Sequence, residues 1–441
     1  MTVVQLHTKT GAKGNPPTKG SVVAALDIGS TKISCLIAEV NPPKHRTGDA
    51  EERNVLRVLG VGHQASRGVR CGAVVNVDEA ERAIRMTVDQ AERMADHTIS
   101  EVLVSVSGGR PLSRIHAASV QTAMGQVGPN DMHAVLDAVL AEVDPGRRTI
   151  LHLSPIQYHL DDAKGVHAPV GMFGTTLGLE LGVVTVEPAH LQNLSLAIER
   201  AHLGTAGFVV SPYAAAKSVL AEDEMTLGTI VIDMGGATTS FAIFHDGALA
   251  FSDVVPLGGQ HITNDIARGL STTIAHAERM KTMWGSAQPL QADEREMIAV
   301  PLLGERGVDT VQKVPKSMLT NIIRPRLEEI FEHVRSRIDA APAAHLAGHR
   351  VVLTGGASLL TGMREVAMHL LGRQVRMGLP AHLQGMPESA HTPGFAVAAG
   401  LLNHALKPDT HYALPQHKAR QLSNAQHGYM RKMGRWIADS F

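Results

Sequence analysis

Several kinds of residue are scarce in this chain of 441 residues, and each scarcity excludes a class of protein. There are only two cysteines, Cys35 and Cys71, without CxxC spacing, which excludes a disulfide scaffold or a zinc ribbon. Aromatic residues make up 3% of the chain and the formal net charge is -1, so neither a base-stacking surface nor a basic phosphate-binding surface is indicated. We therefore expect no nucleic acid partner.

Long apolar segments are also missing. No run of about 18 apolar residues occurs, so no membrane-spanning helix is expected. Residues 1–20 contain lysine, glycine and proline but no apolar signal-peptide core, which predicts a disordered tail and not a signal peptide. The low cysteine content fits a reducing cytoplasm. The 24 histidines show no HExxH or paired-ligand spacing, which argues against a zinc site. What remains is a globular chain too long for one hydrophobic core, so two domains are expected.

One segment of the chain occurs twice. AALDIGSTKISCLI in the first part of the sequence aligns with IVIDMGGATTSFAI in the second, so that Asp27 falls on Asp233 and Gly29 on Gly235. In each copy two apolar, β-rich runs flank a short loop of small and polar residues, which predicts a β-hairpin, with strands at 22–26 and 33–40 in the first copy. A repeat that occurs only twice predicts duplicated domains rather than a solenoid.

A third segment, VVLTGGASLLTG, predicts a strand that ends at Gly355 and Gly356 and is followed by a helix. Helical periodicity is also present at 78–94, 188–202 and 319–339, and strand-like runs alternate with these helices. Neither a GxxxxGK[ST] loop nor a complete GxGxxG fingerprint occurs, which disfavours the two commonest nucleotide-binding folds.

The two repeated loops have the chemistry of phosphate binding. Tight turns of small residues direct backbone N–H groups into one concavity, and glycine lets a phosphate approach closely. Lys32 adds a positive charge, and a carboxylate at the start of each loop is suited to hold Mg²⁺ beside phosphate oxygens. Taken singly, each loop is also compatible with an ordinary hairpin turn, and the Gly-Gly segment with a strand-to-helix turn. The pairing of the loops favours a polyphosphate ligand.

These three loops, in this order, resemble the phosphate and adenosine motifs of the superfamily that contains actin, heat-shock ATPases and sugar kinases. Within it the chain resembles the FtsA family of bacterial division proteins, on the segments LGVGHQASRGVRCGAVVNVDEA, IRMTVDQAERMAD, VLVSVSGG, PIQYHLDD, PLGGQHITNDIARGL and VVLTGGASLLTGM. The resemblance implies an α/β, actin-like fold, in which two related α/β domains surround a nucleotide cleft and the first domain carries an FtsA-type inserted subdomain.

The resemblance also implies ATP and Mg²⁺ as ligands and assigns residues to them. Asp27 and Asp233 are expected to hold Mg²⁺ through water. Glu278 and Lys281, spaced AExxK, match the helix that approaches the purine and ribose, although an exposed i, i+3 ion pair is a slightly more common reason for this spacing. The residues expected to line the cleft are Asp27, Gly29, Ser30, Thr31, Lys32, Asp233, Gly235, Gly236, Ala237, Thr238, Thr239, Glu278, Lys281, Gly355, Gly356 and Ala357.

The sequence departs from the family pattern at three positions. Ala237 replaces a glycine of the second phosphate loop and Ser240 replaces its closing acid. Ser211, in VSPYAAAKSVL, stands where heat-shock relatives carry a glutamate that positions water. ATP binding is therefore expected, whereas no general base is visible and ATPase activity is expected to be weak or absent.

The expected domain boundaries follow the resemblance. The first domain is expected at 21–99 and 181–226, with the inserted subdomain at 100–180. The second domain is expected at 227–258 and 340–406, with its own subdomain at 259–339. Residues 407–427 are expected to form a linker and 428–441 an amphipathic, membrane-targeting helix.

The tail combines an apolar face with basic residues. Met430, Met433, Ile437 and Phe441 recur at helical spacing, which predicts an amphipathic helix on an anionic membrane surface. Docking onto the protein's own core or onto a partner is the alternative. The residues expected to contact lipid are Tyr429, Met430, Arg431, Lys432, Met433, Arg435, Trp436, Ile437 and Phe441.

The partners implied by the resemblance are FtsZ, further copies of this chain, anionic lipids and other division proteins. Arg324 and Arg326 lie in the region where FtsA relatives receive the FtsZ tail, although a solvated helix edge explains them equally well. The implied function is a self-associating, ATP-binding protein that tethers the FtsZ ring to the inner face of the cytoplasmic membrane. A small-molecule kinase of the same superfamily and a PilM-like pilus assembly adaptor are the alternatives.

Overall fold

The structure, a computed structural model, describes residues 20–41, 55–289, 291–303 and 311–406. The predictions for the N-terminal tail, the linker 407–427 and the amphipathic helix 428–441 concern segments that lie outside, or almost wholly outside, the described residues.

The first half of the described chain forms two sheets and their covering helices. Its elements are β1 (Val22–Ile28), β2 (Lys32–Asn41), β3 (Val55–Ala65), β4 (Val69–Arg70), β5 (Ala73–Val74), α1 (Val77–Ala95), β6 (Glu101–Val106), β7 (Leu112–Gln121), α2 (Pro129–Glu142), β8 (Thr149–Leu160), β9 (Ala163–Val166), β10 (Thr176–Val186), α3 (Pro188–Arg200), β11 (Gly204–Val210), α4 (Ser211–Val219) and α5 (Glu222–Leu227).

The second half contains one large sheet, a small hairpin and the remaining helices. Its elements are β12 (Thr229–Met234), β13 (Thr239–His245), β14 (Ala248–Val255), α6 (Gly259–Gly269), α7 (Ile274–Trp284), β15 (Met297–Pro301), β16 (Val311–Pro315), α8 (Lys316–Asp339), β17 (Arg350–Thr354), α9 (Met363–Leu371), β18 (Gln374–Met377) and α10 (Ala396–Leu406).

The two large sheets have the same topology. One has the order β3-β2-β1-β6-β11 and the other β14-β13-β12-β17-β18. In each, three antiparallel strands form a meander and two parallel strands extend it beyond the first strand of the hairpin. The predicted hairpin strands at 22–26 and 33–40 are confirmed within β1 and β2. The duplication seen in the sequence is therefore a duplication of whole sheets.

The helices form where the sequence has a capping residue or apolar residues at helical spacing. At the start of α1 the Asn76 side chain accepts a hydrogen bond from Glu79 N, which satisfies one of the free N–H groups of the first turn. In α8 one face buries Leu319, Ile323 and Leu327, and further along Ile330, Val334 and Ile338. This i, i+4 spacing packs the long helix into the core of the second domain.

The inserted subdomain is a four-stranded sheet, β7-β10-β8-β9, with its own core that includes residues of α2. Its other face packs against β14. There Ser113 Oγ donates a 2.6 Å hydrogen bond to Ser252 O and accepts one of 3.0 Å from Ser252 N. A Cβ added at Gly182 would lie 3.1 Å from Leu249 O, so the backbones approach closely. The inserted sheet thus covers an edge strand of the second domain.

The observed boundaries differ from the expected ones. Strand β6 joins the first large sheet, and β10 of the inserted sheet continues to Val186, so the inserted subdomain does not coincide with 100–180. The terminal helix α10 packs against β1, β2 and α4 in the core that also contains Ala25 and Leu36 of the first sheet. Its residues therefore do not pack with the second domain alone, although 340–406 was expected there.

Helices α4 and α10 join the two halves. α4 follows the last strand of the first sheet but packs on β12 and β13, whereas α10 follows the second sheet but packs on the first. The contact is close because both helices present small residues: a Cβ added at Gly400 would lie 1.6 Å from Ala214 O. Among the described residues, no helix is long and apolar enough to cross a bilayer.

Candidate functional site

The two repeated loops form the same turn and face each other. In the first, Gly29 N donates a 3.0 Å hydrogen bond to Lys32 O, and in the second Gly235 N donates one of 2.9 Å to Thr238 O. The loops touch across the space between the domains, since a Cβ added at Gly236 would lie 2.3 Å from Thr31 Cγ2. The structure therefore brings together two loops that the sequence only showed to be alike.

A carboxylate lies at the end of the central strand beneath each loop. Asp27, on β1, accepts a 2.6 Å hydrogen bond from Ser105 Oγ of β6, yet burial still raises its pKa. Burial, and then the charge of Asp27, raise the pKa of Asp233 on β12 to about 7. Two half-buried carboxylates that repel each other form a site that a cation would stabilise.

This pair fits Mg²⁺ bound together with a phosphate ligand. Mg²⁺ is usually held by one or two carboxylates, with waters and phosphate oxygens supplying the other positions. Among the described residues, no cluster of three or more acidic, histidine or cysteine side chains could hold a metal by itself. A bound Mg²⁺ would neutralise phosphate charge, and Asp27 and Asp233 are the residues that would hold it.

Lys32 lies within electrostatic reach of both carboxylates, and its side chain contacts a turn that comes much later in the chain. Its Nζ donates a 2.5 Å hydrogen bond to Gly394 O and lies 3.5 Å from the centroid of the Phe395 ring. Burial lowers the pKa of Lys32, and the charges of Asp27 and Asp233 act in the opposite direction. A half-buried ammonium group is suited to attract an anion that enters beside it.

The hydroxyl groups predicted to bind the ligand differ in their surroundings. Ser30 Oγ accepts a 2.8 Å hydrogen bond from Gly72 N, and Thr239 Oγ1 donates one of 2.8 Å to Leu257 O. Thr31 is exposed beside the second loop, and Thr238 is buried within it. Ser30 and Thr239 therefore also stabilise the loops themselves.

The Gly-Gly segment closes the site from the second domain. Gly355 has φ 91° and ψ 159°, and a Cβ added there would lie 2.4 Å from Asp233 Oδ1. A Cβ added at Gly356, in contrast, would meet nothing within 4 Å. The segment continues as a short 3-10 turn at Gly356–Leu359, in which Ser358 Oγ donates a 2.7 Å hydrogen bond to Gly355 O. Gly355 is needed for packing, whereas Gly356 borders open space.

Glu278 and Lys281 come to the start of α6, at the edge of this space. Lys281 Nζ donates hydrogen bonds of 2.7 Å to Glu278 Oε2 and 3.1 Å to Gly259 O. Thr263 also donates to Glu278. A Cβ added at Gly259 would lie 3.0 Å from the Cβ of Ala357, so the adenosine motif is adjacent. The pair is thus an ion pair that lies next to the candidate adenosine motif.

The three departures from the family pattern have definite surroundings. Ala237 is buried, and it is absent from the positive-φ residues of the described chain, so its methyl group imposes no backbone strain. Ser240 is buried in β13. Ser211 Oγ, at the start of α4, is buried and has no hydrogen-bond partner within the described structure. Positions 211 and 240 thus carry a hydroxyl group and no carboxylate.

Arg326 makes several contacts within the second domain. Its guanidinium donates hydrogen bonds of 2.6 and 3.2 Å to the two carboxylate oxygens of Asp265 on α6, and a further one to Glu329. Arg324 makes an ion pair of 2.8 Å with Glu328, one turn along α8. Arg326 therefore joins α8 to α6, and Arg324 is the more accessible of the two.

Sequence reasoning missed three residues that support the site. Ser105 holds Asp27, and its signal was a polar residue within the apolar run VLVSV. Gly394 and Phe395 contact Lys32 from a segment, TPGFAVAAG, that carries no recognisable motif chemistry. All three act on a charged side chain of the first phosphate loop or its strand.

Comparisons with known proteins agree with this architecture. A family model described as "Cell division protein FtsA" matches residues 230–400, and one described as "SHS2 domain inserted in FTSA" matches 108–185. A "Cell division protein FtsA" from Rhizobium meliloti is 41% identical over 97% of this chain and 96% of its own length. The protein of that name from Neisseria meningitidis is 33% identical over 95% and 98%.

Among solved structures, a chain of the "PilM-PilN type IV pilus biogenesis complex" superposes with a TM-score of 0.60 at 16% sequence identity. The match covers 88% of this chain and 99% of that one. At this identity the likeness concerns the fold, and it confirms the actin-like α/β architecture expected from the resemblance.

Proposed function

Because this chain belongs to the FtsA family of cell division proteins, we propose that it binds Mg-ATP in the cleft, self-associates, and tethers FtsZ to the inner face of the cytoplasmic membrane. The proposal that a nucleotide binds here is supported by the opposed pair of loops, each with a half-buried carboxylate beneath it. Loops of this kind offer backbone N–H groups to phosphate from both sides.

The adenosine part of the ligand is assigned to the wall that contains Gly356, Ala357, Glu278 and Lys281. The open space at Gly356 and the nearby ion pair support this assignment. Changing Gly356 to Glu would fill that space with a charged side chain, and changing Asp233 to Ala would remove one of the carboxylates. Each variant is expected to lose ATP binding by calorimetry, and unchanged affinity in both would refute the assignment.

The nucleotide is proposed as a conformational ligand rather than as a rapidly consumed substrate. No acidic side chain occupies position 211, where the superfamily places a water-positioning glutamate, and Ser211 is buried. Slow or absent turnover is therefore expected. A steady-state phosphate-release assay, with Ser211→Glu beside the unaltered protein, tests whether a carboxylate at this position is enough to raise the rate.

Membrane attachment is assigned to 428–441, on its sequence alone. Three basic residues of the segment, Arg431, Lys432 and Arg435, are each worth about 1 kcal/mol near an anionic surface. Since a single short helix binds reversibly, self-association would supply avidity through many tails on one polymer. Deletion of 428–441, or Trp436→Glu, is expected to abolish flotation with anionic vesicles and to leave ATP binding unchanged.

The experiment that tests the whole proposal is co-sedimentation of the full chain with FtsZ, anionic vesicles and ATP. FtsZ is expected in the vesicle fraction only when this protein is present, and less of it when ATP is omitted. Neutral vesicles serve as the control for the lipid charge. Recovery of FtsZ with vesicles in the absence of this chain, or no recovery in its presence, would contradict the tethering role.

A further inference from the structure

Lys32 connects two parts of the molecule that are far apart in the sequence. Its backbone belongs to the first phosphate loop, while its ammonium group donates a 2.5 Å hydrogen bond to Gly394 O. The same Nζ lies 3.5 Å from the centroid of the Phe395 ring. Both partners belong to the turn Pro393–Phe395, which leads into α10. A segment outside the three sequence motifs therefore holds this lysine.

Phe395 is itself held in place. Its side chain is 6% exposed, and its ring makes an edge-to-face contact with His63 of β3, with 5.8 Å between the ring centroids. Phe395 N donates a 2.9 Å hydrogen bond to Thr392 O, which fixes the turn. A ring that is fixed in this way presents one face to Lys32. The face of an aromatic ring attracts an ammonium group, most strongly where water is excluded.

The contact also determines where the ammonium group lies. A Cβ added at Gly394 would be 3.4 Å from Lys32 Nζ and 3.8 Å from Gly356 Cα. Lys32 Nζ is therefore close to Gly356, which borders open space. A lysine side chain loses much rotamer freedom when it is fixed. The carbonyl of Gly394 and the ring of Phe395 restrict Lys32 before any ligand binds, and preorganisation of this kind increases affinity.

We propose that Phe395 is a positioning residue that holds the Lys32 ammonium group towards the phosphates of a bound nucleoside triphosphate. This inference rests on the proposed function, because the ligand is the one proposed there. Phe395 acts through Lys32 rather than on the ligand. Phe395 therefore contributes only to the affinity for ligands that carry phosphates, and this contribution is lost when Lys32 is replaced.

The test compares ATP with adenosine, each by competition against a fluorescent ATP analogue. Phe395→Leu is expected to weaken ATP binding about tenfold, since it removes the aromatic face and the preorganisation of Lys32. Adenosine binding is expected to be unchanged, and Phe395→Tyr, which keeps the ring face, should restore ATP affinity to within about threefold. In a Lys32→Met protein, Phe395→Leu should have no further effect.

Phe208→Leu is the matched control, because Phe208 on β11 is also 6% exposed and lies outside the cleft. It is expected to lower stability without changing the preference for ATP over adenosine. Equal losses for both ligands in Phe395→Leu, or a loss that persists with Lys32→Met, would overturn the positioning role. Full ATP affinity in Phe395→Leu would do the same while leaving the proposed function intact.

If the unaltered protein bound no ATP, the proposed function would fail. Thermal unfolding of the ligand-free protein then tests the contact on its own, through a double-mutant cycle of Lys32→Met and Phe395→Leu. The two changes are expected to be non-additive, because each removes the same interaction. Additive effects would show that the ring does not hold the lysine.

Discussion

The two adjacent glycines of the Gly-Gly segment allow a sharp test of the site, because the structure gives them opposite roles. Gly355 has φ 91° and ψ 159°, a region of backbone conformation that is nearly restricted to glycine. A Cβ there would lie 2.4 Å from Asp233 Oδ1 and 2.5 Å from Met234 O. Met234 is part of β12, which pairs with β17 and β13, so its backbone cannot move aside without breaking the central pairing.

Gly355→Ala is therefore expected to lower the free energy of unfolding by about 3 kcal/mol or more. Backbone strain alone costs about 1–3 kcal/mol, and the overlap with Met234 adds to it. Gly356→Ala is the matched control: its Cβ would meet nothing within 4 Å, and a change within about 0.5 kcal/mol is expected.

Chemical denaturation followed by circular dichroism measures both changes, and calorimetry measures ATP affinity in the same samples. Gly356→Glu, added as a third variant, is expected to fold but not to bind ATP, which separates the role in the fold from the role in the cleft. If Gly355→Ala unfolded at the same denaturant concentration as the unaltered protein, the geometry derived for this segment would be wrong. Equal destabilisation by Gly356→Ala would also contradict this geometry, because Gly356 borders open space.

Three further predictions concern the charges and the second phosphate loop. Burial raises the pKa of Asp233 to about 7, so the folded ligand-free protein holds a proton that the unfolded chain releases. The free energy of unfolding is therefore expected to fall as the pH rises from about 4 to about 7. Asp233→Asn should flatten this dependence in denaturation curves and raise the free energy of unfolding at pH 8 by up to about 4 kcal/mol. An unchanged pH dependence would contradict the burial of this carboxyl. Ala237→Gly should change ATP affinity by less than about tenfold in calorimetry, because Ala237 adopts no positive φ; a larger gain would mean that its methyl group obstructs the loop. Arg326→Glu should lower the melting temperature because the new carboxylate faces Asp265, whereas Arg324→Glu should not. FtsZ co-sedimentation is therefore best measured with Arg324→Glu, in which the fold is unaffected. Equal melting temperatures in the two variants would contradict the structural role of Arg326.

Much of the fold was predictable from local patterns. The hairpins around Asp27 and Asp233 follow from β-rich runs that flank loops of small residues, and the helices at 78–94 and 319–339 follow from apolar periodicity. The duplication was predictable for the same reason, because two copies of one segment have the same local preferences and form the same hairpin. Helical and strand-like runs along the chain likewise predicted the α/β class.

The sequence also indicated the two candidate phosphate loops, because a loop that is ordinary as a single hairpin turn becomes a candidate when it occurs twice. It could not show that Arg326 joins α8 to Asp265, because an exposed and a paired arginine occupy the same helical spacing. Nor could it place the boundaries of the inserted subdomain, since β6 and β10 are both apolar strands that differ only in the sheet they join.

The sequence by itself thus determined the composition of the two candidate phosphate loops and the elements that carry them, because these depend on neighbouring residues. Only the tertiary structure decided that Lys32 lies on Phe395 and that Ser105 holds Asp27, since each contact joins strands or turns far apart in the chain. The tertiary structure likewise decided that α4 packs on the second large sheet and α10 on the first. Small residues permit the close contact between these helices, but which helices meet depends on how both sheets are packed.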